Sequence, residues 1–180
     1  MRRVVAAEFV SVDGVMEEPS WTAPFWSDEL GTYQHAQLFR SDALLLGRVT
    51  YQGFAASWPS MEATEGDFAV RMNTLPKYVA STTLQQLEWN ASLIEGDVPA
   101  AVTKLKQQPG QDILIYGSGE LVRTLTEHDL IDEYRLMVHP VVVGSGKRLF
   151  DGIRDASTLK LTDTVTFSSG VVALVYEPAR

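Results

Sequence analysis

The sequence contains no cysteine and only three histidines among its 180 residues. The first absence removes disulfides, thiolate metal sites and cysteine nucleophiles together. His35, His128 and His139 stand far apart, without the close spacing of a helical metal site, so no metal is expected. There is no low-complexity tract and no apolar run of membrane-spanning length, which argues against a membrane partner. Positive charge is also scarce, with 15 Lys and Arg against 23 Asp and Glu and a formal net charge of −8. That balance opposes binding to nucleic acid, whose phosphates need clustered cations, yet leaves room for a locally basic pocket around one small anion. Two N-terminal arginines are soon followed by Glu8 and Asp13, acids that interrupt any export signal, so a cytoplasmic location is expected. The length suits a single domain over residues 1–180 with a sizeable core.

What is present is a series of strand-to-helix junctions. Ile113-Leu114-Ile115-Tyr116 enters Gly117-Ser118-Gly119 and leaves as an amphipathic helix with Leu121, Val122 and Leu125 on one face. Glycines there permit positive φ and a close approach to a ligand, while the unpaired N–H groups of a helix start attract an anion. The third glycine of the dinucleotide fingerprint is replaced by Val122, so a plain helix-capping turn remains open at this stage. Ala43-Leu44-Leu45-Leu46 is a second buried strand, meeting Gly47-Arg48-Val49-Thr50. Lys77-Tyr78-Val79-Ala80 is a third, followed by Ser81 and Thr82.

Elsewhere, Arg3 to Val12 reads as a first strand closed by Asp13-Gly14. Residues 17–26, with Pro19, Trp21, Pro24, Phe25 and Trp26, are too proline-broken for a helix and read as a loop folded over a cavity. Ser27 caps a following helix whose inward face is expected to be Leu30, Tyr33, Ala36 and Phe39. Asp97 caps another, with Pro99 in its first turn and Val98, Ala101, Val102 and Leu105 inward. Glu133 to Val138 alternates as a strand, and Leu159–Phe167 with Val171–Glu177 forms a terminal hairpin. Strands alternating with helices and ending in a hairpin predict an α/β fold, a mixed sheet covered by helices. In such sheets ligands bind beyond the carboxyl ends of strands, so the three junctions are expected to converge on one crevice.

Taken in order, with Ser11-Val12-Asp13-Gly14 before them and Pro140-Val141-Val142-Val143-Gly144-Ser145-Gly146-Lys147-Arg148-Leu149-Phe150 after them, these segments resemble the dihydrofolate reductase-like superfamily. Within it, the likeness is to the reductase (RibD C-terminal) domain of riboflavin biosynthesis and its stand-alone relatives. The resemblance implies a mixed, mostly parallel sheet flanked by helices, a C-terminal antiparallel hairpin, NADPH extended across the strand ends, and a homodimer. By matching position it assigns cofactor binding to Gly14, Gly47, Arg48, Thr50, Ser81, Thr82, Gly117, Ser118, Gly119, Glu120 and Leu121. Arg48 is set against the 2′-phosphate, which a guanidinium grips with forked bonds.

The implied reaction is hydride transfer from NADPH to a small polar heterocycle, 5-amino-6-(5-phosphoribosylamino)uracil or a related compound. Trp21 and Trp26 are candidates to cover its ring, and Lys147 and Arg148 to contact its phosphate. Asp13 is the first catalytic candidate. In folate reductases an acid precedes the Gly-Arg segment on a helix, but an ungapped count back from Gly47 lands on Gly31. Asp28 and Glu29 lie nearby, and Glu29 is the second catalytic candidate. Dihydrofolate reduction and a non-catalytic dimeric nucleotide-binding module are the alternative readings.

Overall fold

The computed structural model describes residues 1–180. Eight strands form one sheet: β1 (Val4–Ser11), β2 (Ser41–Gly47), β3 (Lys77–Ala80), β4 (Ala91–Leu93), β5 (Asp112–Tyr116), β6 (Glu133–His139), β7 (Leu159–Thr166) and β8 (Val172–Pro178). Six α-helices lie between them: α1 (Asp28–Phe39), α2 (Arg48–Ser57), α3 (Glu62–Glu65), α4 (Asp67–Thr74), α5 (Val98–Gln107) and α6 (Gly119–Glu127). The strand order is β4-β3-β2-β5-β1-β6-β8-β7. β1 to β6 run parallel, whereas β8 is antiparallel to both β6 and β7. The chain therefore has the expected α/β fold, with a mostly parallel sheet and a terminal hairpin. No helix is long and apolar enough to cross a membrane.

Burial on both faces explains the near-continuous apolar runs of the central strands. Ala43 to Leu46 and Ile113 to Ile115 are essentially inaccessible. One core layer joins Val5, Ala7, Leu44, Leu46 and Leu114 to Leu30 and Leu38 of α1, Tyr51 of α2 and Met72 of α4. The other joins Val4, Ala6, Ile113 and Ile115 to Val102 and Leu105 of α5 and to Leu121, Val122 and Leu125 of α6. The caps are those expected: Ser27 Oγ accepts Leu30 N–H at 3.2 Å and the Asp97 carboxylate accepts Ala100 N–H at 2.9 Å.

Three expectations change. Residues Pro19–Phe25 form a 3-10 helix rather than an irregular loop; Pro19 starts it, where a missing N–H is harmless, and the short helix tolerates Pro24 because few of its N–H groups need internal partners. In α1 the buried residues are Leu30, Gln34, Gln37 and Leu38, while Phe39 is exposed. The face is rotated towards Gln34 and Gln37, whose amides meet inside: Gln37 Nε2–H donates to Gln34 Oε1, while Gln37 Oε1 has no partner. Helices α3 and α4 and strand β4 were not anticipated from the pattern: α3 is a single turn and β4 has three residues, too short for a periodic signal. At the outer edge, β7 is mostly exposed, and its register against β8 shifts between Leu161 and Asp163.

Candidate functional site

The sheet places the key junctions by topology. From the end of β2 the chain goes to β3 on one side, and from the end of β5 it goes through α6 to β6 on the other. β2 and β5 are neighbours, so their carboxyl ends form the switch point at which open α/β sheets leave a crevice.

There the two junctions are tied together. Ser118 Oγ accepts Gly47 N–H at 2.9 Å and donates to Tyr116 O at 3.0 Å. In return Thr50 Oγ1, on the first turn of α2, accepts Ser118 N–H at 3.0 Å. Gly117 and Ser118 both adopt the left-handed conformation, with φ of 54° and 60°. This reversal turns the chain into α6, which has no side-chain cap, and leaves the N–H groups of its first turn for an outside acceptor. Gly117 admits no bulk, since a Cβ there would lie 2.8 Å from Thr50 Oγ1 at a positive φ, whereas one on Gly119 would lie 2.7 Å from Sδ of the flexible Met16 side chain. A backbone cradle of this kind fits the diphosphate of a dinucleotide.

The adenine-side candidates lie along the same rim. Gly47 pairs with Ala80 at the ends of β2 and β3, so Arg48 and Ser81 begin beyond adjacent strands. Arg48 is exposed, its Nη1–H donating to Gln52 Oε1 at 3.1 Å one turn along α2. Ser81 Oγ accepts the N–H groups of Thr83 and Leu84, each at 3.1 Å, closing a turn on which Thr82 is exposed. A cavity of about 490 Å³ lies between Tyr78, Ile94 and the start of α5, and none of Arg48, Ser81 and Thr82 lines it. Glu120 is exposed on the first turn of α6, and Leu121 is buried beneath it.

The two catalytic candidates are otherwise engaged. Asp13 accepts Ser11 Oγ–H at 2.6 Å, Val143 N–H at 3.1 Å and Gly144 N–H at 2.8 Å. The Ser11 bond, then the two amides, hold its carboxyl down to about 2. Arg148 Nε–H donates to Asp13 O at 3.0 Å, and its aliphatic stem lies 4.0 Å from a Cβ placed on Gly14. Asp13 thus clamps the first loop to the loop after β6, with Arg148 as its outer strap. Lys147 is exposed, its backbone N–H donating to Glu17 Oε2 at 3.0 Å. Glu29 is exposed and accepts Ser168 Oγ–H from the hairpin turn. The neighbouring Leu30 points inward instead, so α1 presents no carboxylate to the sheet.

The tryptophans differ. Trp26 is 56% exposed and lies across α1, its Cζ2 3.0 Å from a Cβ built on Gly31. Trp21 covers His139, with ring centroids 5.6 Å apart, alongside Phe9 at 5.3 Å and Phe25 at 6.2 Å. His139 is fully buried; its Nδ1 lies 2.9 Å from Met137 O, and its Nε2 has no partner. Burial holds this imidazole below its ordinary range. Sequence reasoning also missed Glu8, a carboxyl buried at the end of β1 whose Oε1 has no hydrogen-bond partner and which burial pushes well above the usual carboxylate range. A charged residue inside an otherwise apolar strand was the available signal.

The sequence model of the RibD C-terminal domain matches residues 2–173. The chain belongs to the RibD C-terminal domain family. Two Bacillus subtilis proteins are similar along nearly their whole length: YyaP, 35% identical over 97% of this chain and 94% of its own, and YwjB, 30% identical over 94% and 95%. Among solved structures, a putative riboflavin biosynthesis protein from Shewanella superposes with a TM-score of 0.80, covering 100% of both chains at 20% identity. A Thermotoga maritima deaminase/5-amino-6-(5-phosphoribosylamino)uracil reductase gives 0.72 at 14% identity, over 99% of this chain and 57% of that one. These likenesses establish the fold of a RibD-type reductase domain.

Proposed function

We propose that this family member is an NADPH-dependent reductase acting on a small polar heterocycle of the 5-amino-6-(5-phosphoribosylamino)uracil type. The observation that carries this reading is the reciprocal tie between Gly47-Thr50 and Gly117-Ser118, which builds a cradle at the switch point. In it the first N–H groups of α6, at Gly119, Glu120 and Leu121, take the diphosphate. Arg48, Ser81 and Thr82 take the 2′-phosphate, Arg48 swinging from Gln52 to form charge-assisted bonds. When bound, the reduced nicotinamide supplies the hydride. The chain contributes orientation and water exclusion: the clamped Asp13-Gly14 loop forms one wall and the Trp21–Trp26 segment a cover, with Lys147 and Arg148 at the rim for a substrate phosphate. A cytoplasmic homodimer is part of the same reading.

Dihydrofolate as substrate calls for a carboxylate on the inner face of α1, where Leu30 and Gln34 lie instead. The test titrates NADPH and NADH against protein fluorescence. It then follows NADPH absorbance with the ribosylaminouracil, dihydrofolate and simple carbonyl compounds offered separately. Tighter binding of NADPH and its oxidation with the ribosylaminouracil are expected. Failure to bind NADPH ends the proposal; binding without oxidation by any substrate makes the chain a nucleotide-binding module.

A further inference from the structure

We propose that His139 is a substrate-binding residue: its Nε2 accepts an N–H group of the heterocycle when the Pro19–Phe25 segment lifts from it. His139 ends β6 opposite Ser11, the last residue of β1, and Ser11 Oγ–H donates at 2.6 Å to Asp13 in the loop that forms one wall of the crevice. Alternate side chains of a strand share a face. The imidazole therefore stands on the face of Phe9 and Met137, the layer that packs against Leu30 and Leu38 of α1. That a heterocycle enters here rests on the reductase reading; the state of the ring does not.

His139 is fully buried, yet only one of its two nitrogens is used. Met137 O lies 2.9 Å from Nδ1, and a carbonyl can only accept, so the neutral ring carries its proton on Nδ1 and keeps a bare lone pair on Nε2. Burying an acceptor without a donor is costly. A phenylalanine would fill the same space among the rings of Phe9, Trp21 and Phe25 without that cost, so the lone pair suits a ligand that brings the donor. The roof is held lightly. No residue of Pro19–Phe25 is buried, and every hydrogen bond made by residues 18–25 stays within residues 17–26. Trp21 and Phe25 cover His139 by their rings alone, so lifting the segment breaks no hydrogen bond to the sheet. A neutral acceptor among aromatic walls favours the N–H edge of a flat heterocycle, whereas a carboxylate or a plain carbonyl brings only another acceptor.

The experiment follows the imidazole nitrogens of the full chain by NMR while two probes are added. 5,6-Diaminouracil, the heterocycle without its sugar phosphate, is expected to move the His139 Nε2 resonance and leave Nδ1 in place. 1,3-Dimethyluracil, which has no N–H, is expected to move neither. His139→Phe is expected to keep the wild-type melting temperature and NADPH affinity, and to bind diaminouracil about tenfold more weakly, the loss of one hydrogen bond. Its KM for the ribosylaminouracil should rise about tenfold with kcat unchanged, because the bond is already made in the bound substrate; a merely structural role would move the melting temperature instead. An unmoved Nε2 resonance at saturating diaminouracil, an equal shift with dimethyluracil, or a wild-type KM in the variant overturns the inference, while NADPH oxidation that persists alongside keeps the reductase reading. If His139→Phe does not fold, the wild-type Nε2 resonance decides alone. A wild type that neither binds diaminouracil nor oxidises NADPH ends both.

Discussion

Thr50 Oγ1 lies 2.8 Å from where a Cβ on Gly117 would stand, so the hydroxyl that holds Ser118 N–H also forbids a side chain at Gly117. Gly117→Ala must both strain a positive φ and push Thr50 aside. We expect it to lower unfolding free energy by about 1–3 kcal/mol and to weaken NADPH binding, measured by denaturant titration and fluorescence. Adding Thr50→Ala relieves the contact but not the backbone strain, so the double variant recovers only part of the stability.

Arg48 is exposed and bonded only to Gln52, so its removal is expected to leave the melting temperature unchanged. Hydrogen bonds to a charged group contribute about 1.5–3 kcal/mol. Arg48→Ala should therefore weaken NADPH roughly ten- to a hundredfold and NADH little, in parallel titrations. Equal losses would remove the guanidinium from the 2′-phosphate.

His139 makes stability depend on pH. Its folded form resists protonation, whereas the unfolded chain takes a proton near pH 6.5. The unfolded state then binds more protons, so stability is full above about pH 6.5 and falls as the pH drops towards the folded value. Chemical unfolding at about pH 7.5 and about pH 5.5 should show a smaller decline in His139→Gln than in wild type.

Asp13 acts in the opposite part of the scale. Held down to about 2 by Ser11 and the Val143 and Gly144 amides, it stabilises the fold above about pH 4, and this contribution is lost as the pH falls towards the folded value. Asp13→Asn sets an amide against Gly144 N–H or breaks the bond from Ser11. Limited proteolysis should then cut faster between residues 140 and 148, with β1 and β6 remaining protected.

The parts of this site that could be read in advance are those written locally. Gly47-Arg48 and Gly117-Ser118-Gly119 announce themselves because an apolar strand, a glycine and an amphipathic helix follow one another without a break. Roles that depend on distant pairing are silent in the chain. Glu8 is buried just past the last pair of β1 with β5, and Gln34 and Gln37 turn inward together, the amide of Gln37 donating to that of Gln34. Asp13 was legible as a loop residue but not as a clamp, since its partners come 130 and 131 positions later. Glu29 illustrates the rotation problem: one residue along α1 separates a solvent-facing acid from buried Leu30, a turn of roughly 100° about the helix axis.

The irregular register of β7 bears on how this molecule behaves in a crowd. A straight outer strand offers a row of unsatisfied amides on which another sheet can grow. The shift between Leu161 and Asp163 breaks that row, and Lys160 and Asp163 on the same strand make stacking of further copies unfavourable. The chain can thus end its sheet in open water without becoming a seed for fibres.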